Sequence, residues 1–209
     1  DRVMEGLALP TANLVPPQLF GHNPTLKPVF DADGAKKLLA EAGYPNGFSI
    51  TFHGPNNRYV NDDQIMQAIA QMWTRIGLKA EVETLPGAVF FTRASKQEFS
   101  AFAAQYGAEE AVNSLRALVA TWTPAKGFGT ANRTRYSNPM VDNLLSASLQ
   151  NLDDRQRDAL VGRAIKVAME DQALIPLFHP IFDFASKKTL VITPRPQRRF
   201  NALMVTPAK

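Results

Sequence analysis

Apolar and polar positions change period repeatedly along the first hundred residues. Ala35, Leu38, Leu39 and Ala42 recur at helical spacing behind Asp31 or Asp33, either of which can cap a helix, and Gly43 with Pro45 supplies stop chemistry. Phe48, Ile50 and Phe52 then alternate with polar residues, which predicts a strand over 48–53. Gly54-Pro55-Asn56-Asn57 reads as a turn. A second helix follows, capped near Asn61, with Ile65, Ile69, Met72 and Ile76 on one stripe and Gly77 at its end; a strand over 78–85 comes next. Pro86-Gly87 leads into a short helix near 88–97, and the small residues of Phe99 to Gln105 suit a third strand covered on both faces. Helix alternating with strand predicts an α/β domain, a mixed central sheet flanked by helices.

The flanks read differently. Residues 7–30 carry Pro10, Pro16, Pro17, Pro24 and Pro28, which disfavour helix and central strand. They predict an extended connection over residues 1–30, anchored by Leu14, Val15, Leu19 and Phe20. Beyond the third strand, residues 111–120 look helical and 123–137 form a long loop. Asn138-Pro139 opens a helix that buries Val141, Leu144, Leu145 and Leu149. Asp153 caps another, with Leu160, Ala164, Val167 and Ala168 inward. Strands at 174–185 and 189–192 are expected to pair.

Composition narrows the classes. The 209 residues are 45% hydrophobic and 20% charged, as in globular domains, and contain no cysteine, which removes disulfides, thiolate nucleophiles and cysteine-held metals. No run of about 18 apolar residues is present, so no spanning helix is expected. The first residues read as the middle of a longer chain. The net charge of +4 is local: residues 187–209 hold Lys187, Lys188, Arg195, Arg198, Arg199 and Lys209 and no acid, so the rest, with 17 bases against 19 acids, is slightly acidic. Such a tail fits a solvated or lobe-contacting segment better than a nucleic-acid face, and no nucleic-acid partner is expected.

Catalytic chemistry finds little to work with. His22, His53 and His179 lack metal-ligand spacing, no serine sits in a G-x-S-x-G elbow, and Gly127-Phe128-Gly129 is too short for a phosphate loop. No metal or cofactor is expected. Asp62-Asp63 and Asp153-Asp154 suit helix starts. Glu109-Glu110 follows a strand, and ligands collect at the carboxyl ends of strands in open α/β sheets, so Gln105, Tyr106, Glu109 and Glu110 form a candidate rim; a second capped helix start explains the acids equally well. Asn132, Arg133, Arg135 and Tyr136 form a second polar cluster on the long loop, read either as ligand contacts or as a solvated turn. A carboxylate base at Glu109 or Glu110 would also allow a small hydrolase, although neither a nucleophile nor a metal partner accompanies it.

Several phrases in order resemble the family 5 extracellular solute-binding proteins, the dipeptide, oligopeptide and nickel group of ABC importers. They are Val3-Met4-Glu5-Gly6-Leu7-Ala8, Val15-Pro16-Pro17, Ala35 through Phe48, Ile76-Gly77-Leu78, Tyr136-Ser137-Asn138-Pro139 with Val141-Asp142, and Ile175-Pro176-Leu177-Phe178-His179. The resemblance implies a periplasmic-binding-protein-like (type II) lobe, residues 1–209 being the carboxy-terminal lobe of a two-lobed protein, with residues 187–209 returning toward the amino-terminal lobe. It implies no enzyme but a periplasmic or extracellular subunit that holds a solute between lobes and delivers it to an ABC permease in the membrane. Peptide binders of this family carry Trp and then Asp after the third strand. Here Gln105-Tyr106-Gly107-Ala108-Glu109-Glu110 stands in their place, which leaves the ligand open among peptides, sugars, opines and other small solutes and makes nickel a poor fit.

Overall fold

The computed structural model describes residues 3–107, 109–195 and 201–208. The chain divides into two compact units, Asp1–Glu5 with Val29–Gln105, and Gly6–Pro28 with Tyr106–Lys209.

The first unit is the alternating segment: α1 (Ala32–Glu41), β2 (Ser49–Asn56), α2 (Asp62–Arg75), β3 (Lys79–Pro86), α3 (Gly87–Ser95) and β4 (Ala101–Phe102), with β1 (Ala8–Pro10) preceding them in the chain but belonging to the second unit. Its sheet runs β3-β2-β4, and both pairings are parallel, as helical crossovers require. Asp31 caps α1 by accepting the Gly34 amide at 2.8 Å. That helix buries no residue fully, and Leu38, expected inward, is 65% exposed.

Four expectations for this unit change. The strand expected to end at His53 continues through Gly54, Pro55 and Asn56. The Met66 thioether packs against Gly54, and a Cβ there would stand 2.8 Å from it, so the Met66 side chain would have to shift. Asn61 does not cap α2: it is left-handed at φ 56 and donates instead to the Val3 carbonyl, while Asp62 accepts the Arg58 and Tyr59 amides. The inward stripe of α2 is Met66 and Ala70, and Met72 is exposed. The third strand shrinks to Ala101–Phe102, and its last rung is the Ala103 amide on the His53 carbonyl at 2.9 Å. The next rung would need an amide from Pro55, which has none. Gly47, at φ +69, passes so close to Gly77 that any Cβ would collide with its carbonyl oxygen.

The second unit contains β1, α4 (Ala111–Ser114), α5 (Pro139–Gln150), α6 (Asp154–Glu170), β5 (Phe178–Pro180), β6 (Leu190–Ile192) and β7 (Val205–Pro207). Its core is aliphatic: Val15, Leu115, Val119, Val141, Leu145, Val161 and Ile165, with Leu14, Leu19 and Phe20 packed against it. The proline-rich segment therefore anchors as expected. Gly21, at φ +86, lies where a Cβ would overlap Ala111 and Val161, and its amide donates to Asp158 at 2.7 Å. Asn138 and Asp153 cap α5 and α6 through the Met140 and Gln156 amides. Leu149, expected inward, is exposed. The helix begun by α4 continues as a π-helical turn over Leu115–Val119, closed by the Ala120 amide on the Leu115 carbonyl at 2.8 Å.

The expected pairing of 174–185 with 189–192 does not form. β5 pairs antiparallel with β1, and β6 pairs antiparallel with β7. The tail thus supplies a strand, while Arg198, Arg199 and Lys209 lie outside the described residues. The antiparallel pairs are separate from the parallel sheet.

Candidate functional site

The segment from Gln105 to Glu110 carries the chain from the first unit into the second. In the first unit, Gln105 is half-buried and its carbonyl accepts the Tyr59 hydroxyl at 3.2 Å. In the second, Tyr106 is 46% exposed, Gly107 and Glu109 are exposed, and a Cβ at Gly107 would meet nothing within 4 Å. This stretch exposes an aromatic ring, open backbone and an acidic residue. Glu110 is different. Its carboxylate lies 3.3 Å from the Arg157 guanidinium, which also meets Asp154 at 3.2 Å and covers the Phe20 ring at 4.8 Å. The group proposed as a hydrolytic base therefore holds an arginine that clasps α6 to the amino-terminal segment.

The long loop is built by its own side chains. Asn132 is buried, and its amide nitrogen donates to the Ala120 carbonyl at 3.0 Å and the Tyr136 carbonyl at 2.8 Å. Its oxygen accepts from the Thr134 hydroxyl and the Tyr136 amide, both at 3.2 Å. Tyr136 donates its hydroxyl to Asp171 at 2.7 Å, and Asn138 donates to the same oxygen at 3.1 Å. Burial, then the hydrogen bond to Asp171, pushes the Tyr136 phenol up to about 12. The Tyr136 hydroxyl and the Asn138 amide hold the Asp171 carboxyl below its ordinary value. Asp142, on α5, accepts the Thr121 amide at 2.9 Å and the Thr121 hydroxyl, and that hydroxyl meets Ser137 at 2.8 Å. Both ends of the loop are thus pinned to one helix turn.

Arg135, left-handed at φ 57, places its guanidinium 3.8 Å from the centroid of the half-exposed Trp122 ring. Sequence reasoning did not single out Trp122 or Asp171, and met Asp142 only within the family phrase Val141-Asp142. The capping geometry of Asn138 was the only local signal near Asp171, since the rest depends on contacts 35 residues apart.

Within the first unit, a groove of roughly 400 Å³ is lined by Phe48, Ser49, Ile50, Thr51, His53, Glu98 and Ser100. Apart from His53, none of these was singled out for chemistry. His53 is buried, stacked on Phe99 at 4.1 Å, with its Nε2 3.2 Å from Glu83 and its Nδ1 3.4 Å from the Ala101 carbonyl. Arg93 pairs with Glu83 and Glu98, and its hydrogen bond holds Glu83 below the ordinary carboxylate value. The ring thus has the packed position that suffices to explain it. Among the described residues, no three His, Asp or Glu side chains are grouped to hold a metal, and no helix is long and apolar enough to cross a membrane.

Residues 1–126 match the family described as bacterial extracellular solute-binding proteins, family 5 Middle. Heme-binding protein A of Haemophilus influenzae is 27% identical over 187 residues, covering 87% of this chain and 34% of that protein. The glutathione-binding protein GsiB of Escherichia coli K12 is 30% identical over 187 residues, covering 82% of this chain and 34% of the relative. Among solved structures, HbpA2 of Haemophilus parasuis superposes with a TM-score of 0.82 at 26% identity over 99% of this chain and 41% of its own. The periplasmic binding protein DppA of Helicobacter pylori, in complex with the peptide STSA, gives 0.75 at 27% identity, over 84% of this chain and 34% of its own. The chain spans about a third of the length of the relatives it matches. The fold is α/β of the type II periplasmic-binding-protein kind. With that fold and a match across more than half its length, the chain belongs to the bacterial extracellular solute-binding proteins of family 5.

Proposed function

We propose that residues 1–209 are one lobe of a two-lobed, periplasmic or extracellular solute-binding subunit of an ABC importer. The observation that carries this reading is the family match over residues 1–126, which runs through the candidate rim at Gln105 to Glu110. The protein binds and releases without chemistry. Its solute lies between this lobe and an amino-terminal lobe, and hinge closure presents it to a membrane permease. Residues 187–209 return toward the amino-terminal lobe, and the complex meets the membrane through its permease. On this side Gln105, Tyr106, Gly107 and Glu109 form the solute-facing segment, and Glu110 closes it with its carboxylate on Arg157. Asn132 and Tyr136 serve it by fixing the loop.

Peptide and glutathione relatives favour a small solute with a free amino group, which the acidic pair Glu109-Glu110 on this segment would attract. The test is thermal shift of the whole parent protein against dipeptides, tripeptides, glutathione, heme, opines and sugars. A solute at a hundred times its dissociation constant adds about 2.7 kcal/mol of stability. One class is expected to stabilise the parent, with weaker binding in Tyr106→Ala and Glu109→Gln. Stabilisation by no class, or unchanged affinity in both variants, overturns the reading.

A further inference from the structure

We infer that the loop around Trp122 is a docking face for an acidic protein surface. Three observations converge on it. Residues 111–137 contain Arg116, Lys126, Arg133 and Arg135 and no Asp or Glu, in a chain that outside this stretch and the tail carries 13 bases against 19 acids. The cations are gathered in space. Thr123 and Phe128 bridge to form a small hairpin with Lys126 exposed within it. Arg116 lies against that hairpin, its Nε donating to the Gly127 carbonyl at 3.3 Å and its guanidinium 5.8 Å from the Phe128 centroid. Arg135 lies over Trp122 at 3.8 Å. Among the described residues, no carboxylate pairs with Arg116, Lys126 or Arg135.

The face is also held in shape. Gly129, at φ +67, brings its backbone against Trp122, and a Cβ there would stand 2.6 Å from the Trp122 Cα. The Gly129 amide is tied to the Arg116 carbonyl at 2.8 Å, and Asn132 and Asp142 lock the remainder of the loop. Half of the Trp122 surface nevertheless remains open. A guanidinium stacked on an indole keeps its edge free and planar, the geometry that receives a carboxylate through two parallel hydrogen bonds. Trp and Arg are the residues that most often anchor protein interfaces.

A protein partner is favoured over a lipid surface. The hairpin presents Pro124, Ala125 and Lys126, with no large apolar residue to enter a bilayer, and the Trp122 ring is shielded on one face by Arg135. Nothing in this inference depends on the solute reading, so either can fail alone.

The experiment is fluorine NMR on the whole parent protein labelled with 5-fluorotryptophan, the Trp122 line assigned by its loss in Trp122→Phe. Poly-glutamate peptide is the probe, and phosphatidylglycerol vesicles are the second arm. The expected result is a saturable shift of the Trp122 line with poly-glutamate at low salt. Affinity should fall about tenfold in Arg135→Gln, a change equal to about 1.4 kcal/mol. It should fall again in Arg135→Gln with Lys126→Gln, and on adding salt. Arg135→Lys, which keeps the charge but loses the planar fork, should recover only part. Four results would overturn the inference: no shift with poly-glutamate; a shift with vesicles only; equal affinity in Arg135→Gln; or a Trp122 line in the free parent unaffected by a soluble paramagnetic agent, meaning that the rest of the protein covers the face.

Discussion

The two units solve the same packing problem with different materials. The first closes around rings: Phe90 lies within 5.4 Å of Phe99 and 6.2 Å of Phe102, and His53 stacks on Phe99, beside the buried Phe52 and Met66. It is assembled mostly from one continuous stretch, Val29–Gln105. The second closes around branched aliphatics on α5, α6 and the π-helical turn, and it recruits Gly6–Pro28 from far along the chain. Local chain order and a strict period go together in the first. In the second, long-range contacts and polar stitches take the place of period. The first is therefore a module whose integrity rests on a few large side chains, and the second a module whose integrity also rests on loop hydrogen bonds.

Cutting each core tests that contrast most strongly. Phe90→Ala should cost about 4 kcal/mol and Leu145→Ala about 3 kcal/mol, since both side chains are fully buried and cannot be replaced by solvent. Hydrogen exchange read by mass spectrometry should show the loss of protection centred on 29–105 for Phe90→Ala and on the second unit for Leu145→Ala. An equal loss across both units in either variant would mean that they unfold as one.

A smaller effect distinguishes the polar stitching. Asn132→Ala leaves two carbonyls without their donor and should cost about 2 kcal/mol, measured by urea denaturation. Asn132→Asp keeps the acceptor and loses the donor, and should cost a similar amount. If both variants are as stable as the parent, the loop does not depend on this side chain.

That dependence also explains what the sequence disclosed. The helices and strands of 32–95 were legible because their apolar period is local, and Asp31, Asn138 and Asp153 were legible as caps because capping acts over three residues. The strand through Gly54-Pro55 was not, because a glycine and a proline signal a turn, and only the pairing of this stretch with β3 extends it. The pairing of β1 with β5 joins Leu9 to His179, a match that no periodicity encodes. At the candidate site, Tyr106 and Glu109 stood out by their place after a strand. The commitments of Glu110 to Arg157 and of Tyr136 to Asp171 appear only once distant helices are brought together.

The smallest prediction concerns pH. Tyr136 is raised in the folded protein to about 12, so its contribution is fully present below the ordinary tyrosine value and is lost as pH rises through 12. Tyr136→Phe should cost about 1 kcal/mol near neutrality, and the difference from the parent should shrink between about pH 10 and pH 12. Parallel denaturation curves across that range would show that the hydroxyl is not held by Asp171.

The π-helical turn at Leu115–Val119 has a consequence for lining this chain up with its relatives. A π turn is what an α-helix becomes when one residue is added without lengthening its axis to match. Chains that run a plain α-helix here should therefore be one residue shorter between Ala111 and Ala120. Alignments that refuse a gap inside this helix will displace everything after it by one position, setting Trp122 against the wrong neighbour.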